Sequence, residues 1–156
     1  MKEVVKLMDY RPDIKIVDAT LRDGGLVNNF RFTDEFVKDL YQTNIKAGVD
    51  VMEFGYKADK EMFDVKDFGK WKFCDDEDIR AVVGDNNTDL KIAVMADVGR
   101  CNYKQDIKPR AESPVDVIRV ATYINQIPAA VDVIEDAVAK LSLIHISEPT
   151  RPLYIS

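Results

Sequence analysis

Cysteine is scarce in this chain, and the two present, Cys74 and Cys101, lie far apart with no C-x-x-C spacing. That excludes a disulfide framework and a cysteine zinc site, and it gives no sign of a secretory route. The amino terminus has no apolar core of the kind a signal peptide carries, and no run approaches the ~18 apolar residues of a spanning helix. Positive charge is also in short supply. Lys and Arg number 22 against 28 Asp and Glu, for a formal net charge of -6. Nucleic acid and anionic membranes are therefore poor partners, and the cytoplasm is the expected compartment. Both thiols read as structural or incidental.

What the chain does have is the composition of an ordinary globule, 46% hydrophobic and 32% charged over 156 residues, enough for one domain with a real core. Its organisation centres on Lys15 to Gly25, KIVDATLRDGG. Ile14, Ile16, Val17 and Ala19 predict a short buried strand whose carboxyl end delivers Arg22, Asp23, Gly24 and Gly25. In parallel α/β folds that is the end where chemistry collects. Asp23 suits a hard divalent cation, Arg22 a planar carboxylate or enolate, and Gly24-Gly25 a close approach of substrate to backbone. Spacing alone is equally compatible with a surface ion pair and a glycine turn.

The remainder alternates strand and helix. Residues 1–14 form a lead-in, and Leu26 to Phe32 a loop in which Asn28 and Asn29 either satisfy turn backbone or contact substrate. Thr33 caps a helix whose inward face is Phe36, Val37, Leu40, Tyr41 and Ile45, ending at Ala47-Gly48. A second strand follows over Val49 to Phe54. The long connection from Lys57 to Asp75 carries Phe63, Phe68, Trp71 and Phe73, which either line a pocket or anchor the loop. A short helix from Asp75-Asp76-Glu77 to Val83, a third strand from Leu90 to Ala96, a fourth from Val115 to Ala121 and a helix from Pro128 to Lys140 complete the pattern. Asp97 and Arg100 are secondary site candidates or a loop salt bridge.

DATLRDGG resembles the first-strand signature D-x-T-L-R-D-G of the metal-dependent aldolases and acyl-transferring synthases called DRE-TIM metallolyases. The resemblance implies the amino-terminal half of a (β/α)8 TIM barrel, with about four parallel strands and intervening helices over residues 15–140. It implies Arg22 and Glu53 as catalytic residues, Arg22 polarising an enolate oxygen and Glu53, in VMEFG, being the glutamate that ends the second strand, with Asp23 as a ligand to Mn²⁺ or Mg²⁺. VRVAT, ending in Thr122, is similar to the fourth strand of 4-hydroxy-2-oxovalerate aldolases, so Gly24 and Thr122 become substrate-binding candidates. The implied substrate is a small 2-oxo acid, cleaved through a pyruvate enolate, with an acyl-CoA-dependent Claisen synthase or a non-catalytic half-barrel as the other readings.

Two departures stand out. Where those aldolases place a histidine after R-D-G, this chain reads Gly25-Leu26-Val27-Asn28. The His-x-His pair that completes the family's metal site has no counterpart. Leu141 to Arg151, LSLIHISEPTR, matches a translated transposon-derived sequencing adapter, so residues 141–156, including the sole histidine His145, are expected to be a non-native tail that packs poorly. The expectation is an inactive fragment prone to self-association through open sheet edges.

Overall fold

The computed structural model describes residues 13–140 and the backbone of 144–146. The expected lead-in, apart from Asp13 and Ile14, and most of the expected tail fall outside the described residues. Five strands, β1 (Val17–Asp18), β2 (Val51–Tyr56), β3 (Lys91–Asp97), β4 (Val117–Ala121) and β5 (Ile144–Ile146), form one sheet in the order 1-2-3-4-5, every neighbouring pair parallel. Unbroken consecutive order without a switch point is the arrangement of half a (β/α)8 barrel, and the sheet is not closed.

β5 departs from expectation. Three residues of the presumed tail, Ile-His-Ile, pair with Ile118, Arg119 and Val120. A short β-branched segment can take up any unpaired ladder edge that it reaches, and β4 presents one.

The first strand is also corrected. β1 is only two residues long, and Ile14, Ile16 and Val17 are each more than half exposed, because the strand has a single partner among the described residues. The chain turns at once into α1 (Thr20–Asn28), where a glycine turn and loop were expected. Two glycines cost a helix roughly 1 kcal/mol each, so local propensity argues against it. Tertiary contacts override that cost. Asp18 accepts from Thr20 N at 3.3 Å and Thr20 Oγ1 at 2.5 Å, and its other oxygen accepts from Asn44 Nδ2 at 2.9 Å. Leu21 is buried, and Gly25 gives up its side-chain space to the ring of Phe30, which would stand 2.2 Å from an added Cβ.

The second helix follows its caps closely. In α2 (Asp34–Ala47), Thr33 Oγ1 accepts from Phe36 N at 3.2 Å, and Gly48 closes the carboxyl end in the left-handed region at φ 70°. Val37 and Tyr41 are buried as expected, Leu40 and Ile45 partly so, whereas Phe36 lies outside, stacked on Phe32. α3 (Asp76–Val83), the four-residue α4 (Tyr103–Asp106) and α5 (Ile127–Lys140) complete the helices. α2 packs beside α3, and α5 lies on β4.

Strand alternation sorts the sheet into two faces. Met52, Phe54, Ile92, Val94, Ala96, Ile118 and Val120 are buried in the apolar core. On the other face, Glu53 pairs in register with Ala93, and Met95 with Arg119. That second face is the one that turns inward when such a sheet closes into a barrel.

Candidate functional site

Glu53 stands in the middle of β2 with no solvent exposure, and a lone buried carboxylate is too costly to persist without cations. Two arginines supply them. Arg22, in the first turn of α1, donates from Nε to Glu53 Oε2 at 2.8 Å. Arg119 donates from Nε to Oε1 at 2.7 Å and from Nη2 to Oε2, a two-pronged contact that fixes the plane of both groups. Arg22 Nη1 also meets Asp23 Oδ1 at 2.5 Å. Burial works against the Arg22 charge, yet the hydrogen bond and field of Glu53, helped by Asp23, hold its pKa above the ordinary arginine value.

The structure therefore brings Arg22, Asp23 and Glu53 together. Gly24 lies in the same helix, half-buried, facing Phe32 at ordinary contact distance. Its place inside a helix replaces the open glycine turn predicted for it. Thr122 stands apart: it is buried, continues the parity of Ile118 and Val120, and its hydroxyl donates to Tyr123 O at 3.2 Å. Asn28 donates to Arg31 O, the bland role foreseen for a loop asparagine, and Asp97 and Arg100 form the anticipated loop salt bridge at 3.6 Å. Arg119 is the residue that sequence reading missed. Its signal was one cation inside the apolar strand VDVIRVA, on the parity opposite Ile118 and Val120.

Next to this network stands Tyr56, at the end of β2. Burial raises its phenol above the ordinary value, and the adjacent Arg22 pulls the other way. Beyond it, Tyr56, Lys57, Phe63, Lys72, Asp97 and Arg100 surround a cavity of about 10 Å³. Burial also raises the Asp97 carboxyl, against the opposing fields of Arg100 and Lys72. A larger cleft of about 250 Å³, lined by residues including Lys57, Asp75, Asp76 and Lys108, touches neither arginine of the network.

The long connection 57–75 resolves the choice between pocket and anchor by doing both. Trp71 is buried against Phe54, and Gly55 permits this, since a Cβ there would lie 1.9 Å from Trp71 O. Phe63 and Phe68 meet edge to face and turn toward Lys72. Arg31 pins the same connection by donating to the carbonyls of Lys66 and Asp67.

A metal centre is not assembled by the described residues. Among them no three His, Cys, Asp or Glu side chains converge, and Asp23, largely exposed, turns its carboxylate to Arg22. One carboxylate falls short of the several oxygen or nitrogen ligands that hard cations take. Among the described residues no helix is long and apolar enough to cross a membrane.

Comparison with known proteins supplies the chemical context. No family model matches the chain, and no solved structure does. A 4-hydroxy-2-oxovalerate aldolase of Pelotomaculum thermopropionicum is 28% identical over 116 residues, covering 74% of this chain and 33% of its own length. 4-Hydroxy-2-oxovalerate aldolase 6 of Rhodococcus jostii is 30% identical over 118 residues, covering 76% of this chain and 32% of its own. The chain spans about a third of the length of these curated relatives, and over that third it is similar to 4-hydroxy-2-oxovalerate aldolases.

Proposed function

We propose that this chain supplies the enolate-binding part of an aldolase that cleaves 4-hydroxy-2-oxo acids to pyruvate and an aldehyde. The observation that carries the reading is the Arg22–Glu53–Arg119 cluster on the inward sheet face. Glu53 holds two guanidinium groups in fixed orientation, and a planar carboxylate or enolate is the anion whose geometry such groups match. Fixed donors stabilise developing negative charge without reorganising, which is the main electrostatic contribution to such a step.

In this reading Arg22 faces the enolate oxygen, Arg119 adds a second positive charge, and Glu53 orients both without touching substrate. Gly24 is proposed as an outer substrate contact, whereas Thr122, on the parity of the core residues Ile118 and Val120, is left out of the proposed contacts. Mn²⁺ or Mg²⁺ on Asp23 requires ligands beyond the described residues, so no step here is routed through it. Both relatives are named for aldol chemistry, which favours the aldolase over an acyl-CoA-dependent synthase. The unclosed sheet is compatible with self-association through its edges.

The test is pyruvate release from 4-hydroxy-2-oxo acids by the whole protein, with and without added Mn²⁺. Arg22→Met should reduce kcat/KM by ~10²–10³-fold, the loss typical of one oxyanion donor. Wild-type turnover unaffected by Arg22→Met would refute the assignment.

A further inference from the structure

Strands β1 to β4 carry three carboxylates, Asp18, Glu53 and Asp97. Asp18 pairs in register with the core residue Met52, and its oxygens accept from Thr20 and Asn44. Glu53 accepts from Arg22 and twice from Arg119, which commits it to orienting those groups. Asp97 stands differently. Ala93, Met95 and Asp97 alternate onto the inward face; Met95 pairs with Arg119, and Asp97 with Ala121. The third carboxylate therefore lies on the same polar face as Arg119 and Glu53, at the carboxyl end of β3, one pleat beyond Arg119 on the neighbouring strand. In a barrel that is the end where reacting groups collect.

Its surroundings leave it available. Arg100 Nη1 stands 3.6 Å from Oδ2, outside hydrogen-bond range, and no donor among the described residues bonds either oxygen. Ala121 opposite it contributes only a methyl group, as Ala93 does beside Glu53. On the other side a register shift in β2 sets Tyr56 opposite Met95, so that Tyr56 and Asp97 border one small cavity. Tyr56 also lies against Arg22, so a single side chain adjoins both the arginine and the carboxylate. Arg100 and Lys72 face the carboxyl with positive charge, yet burial prevails and raises its pKa above the ordinary value. That direction brings a carboxyl group closer to exchanging a proton near neutral pH.

We propose that Asp97 is the general base and acid of this site. The inference rests on the aldolase reading. With the enolate oxygen at Arg22, the rest of the substrate extends along the inward face toward the end of β3. The Asp97 carboxylate takes the proton of the substrate's 4-hydroxyl; the C3–C4 bond breaks, its electron pair passing into the enolate as the C4 carbonyl of the aldehyde forms. The Asp97 carboxyl then gives the same proton to C3, which yields pyruvate and restores the carboxylate. This fills the role for which the chain has no histidine after R-D-G.

The experiment measures pyruvate release from 4-hydroxy-2-oxo acids, and exchange of the pyruvate C3 protons in D₂O by NMR, with the whole protein as wild type, Asp97→Ala and Asp97→Asn. Both variants should lose ~10²–10⁴-fold in kcat and in exchange, with KM little changed. Added formate should restore Asp97→Ala in proportion to its concentration, which a carboxylate that merely braces a loop would not show. If Asp97→Ala does not fold, Asp97→Asn decides: it keeps the size of the side chain and carries no charge to bury, so exchange lost in the folded variant supports the role. Wild-type rates in either folded variant, or a loss in folded Asp97→Ala that formate leaves unchanged, overturn the assignment, while activity in the wild type and its loss in Arg22→Met keep the aldolase reading. A wild type that neither releases pyruvate nor exchanges its protons overturns both.

Discussion

Arg119 and Glu53 meet across an intervening strand, Nε to Oε1 at 2.7 Å, although β3 lies between their own strands. The register partner of Glu53 on β3 is Ala93, which puts only a methyl group in the gap. Glu53 is thereby both the most enclosed charge of the sheet and the hub of its polar face.

Replacing that hub should be costly. Glu53→Gln keeps the shape but removes the carboxylate shared by two largely buried guanidinium groups, and breaking a buried pair typically costs ~3–5 kcal/mol. A urea titration should show the midpoint falling accordingly. A shift smaller than ~1 kcal/mol would mean that the arginines find other partners.

Gly55→Ala probes the seat of the long connection. With Trp71 O only 1.9 Å from the new Cβ, the backbone must move, an overpacking cost of ~1–3 kcal/mol. Because Trp71 adjoins Lys72, the movement should also disturb the packing of Phe63 and Phe68 against that lysine. Calorimetry should register the lower melting temperature, and intrinsic Trp71 fluorescence the displacement.

Asp97 gives the stability a pH dependence of known sign. Its folded-state pKa is raised above the ordinary value of 3.8, chiefly by burial. Between 3.8 and the raised value the folded state binds more protons than the unfolded one, so this group's contribution to stability falls as pH rises through that window. Asp97→Asn should flatten that part of the profile. Denaturant midpoints measured from pH 3 to pH 7 for both proteins test it, and parallel profiles would contradict the assignment.

Much of the fold was legible because local signals and tertiary demand coincide. The apolar run LKIAVMA, the Thr33 cap and the Gly48 terminator each say locally what the sheet requires globally. α1 was not legible, since TLRDGGLVN has weak helix propensity and is held by Asp18 and by the fit of Phe30 over Gly25. Arg22, Asp23 and Glu53 could be picked out by motif, and they do lie together. Arg119 could not, because what distinguishes it is the company of side chains distant in sequence. The exposure of Ile14, Ile16 and Val17 was also hidden, for an apolar strand reads the same at the edge of a sheet as at its centre.

The unbroken strand order has a kinetic meaning. Val17 pairs with Val51, Val51 with Lys91, and Ala93 with Val117, so each strand needs only its immediate predecessor to be in place. A chain emerging from its amino end can therefore add units one at a time, and no pairing must wait for a distant segment. Each addition closes one helical crossover, and the entropy of that closure grows only slowly with its length. A doubly wound sheet, with its reversal of order, would instead leave an early strand waiting for a late partner, with its ladder open to other chains in the interval.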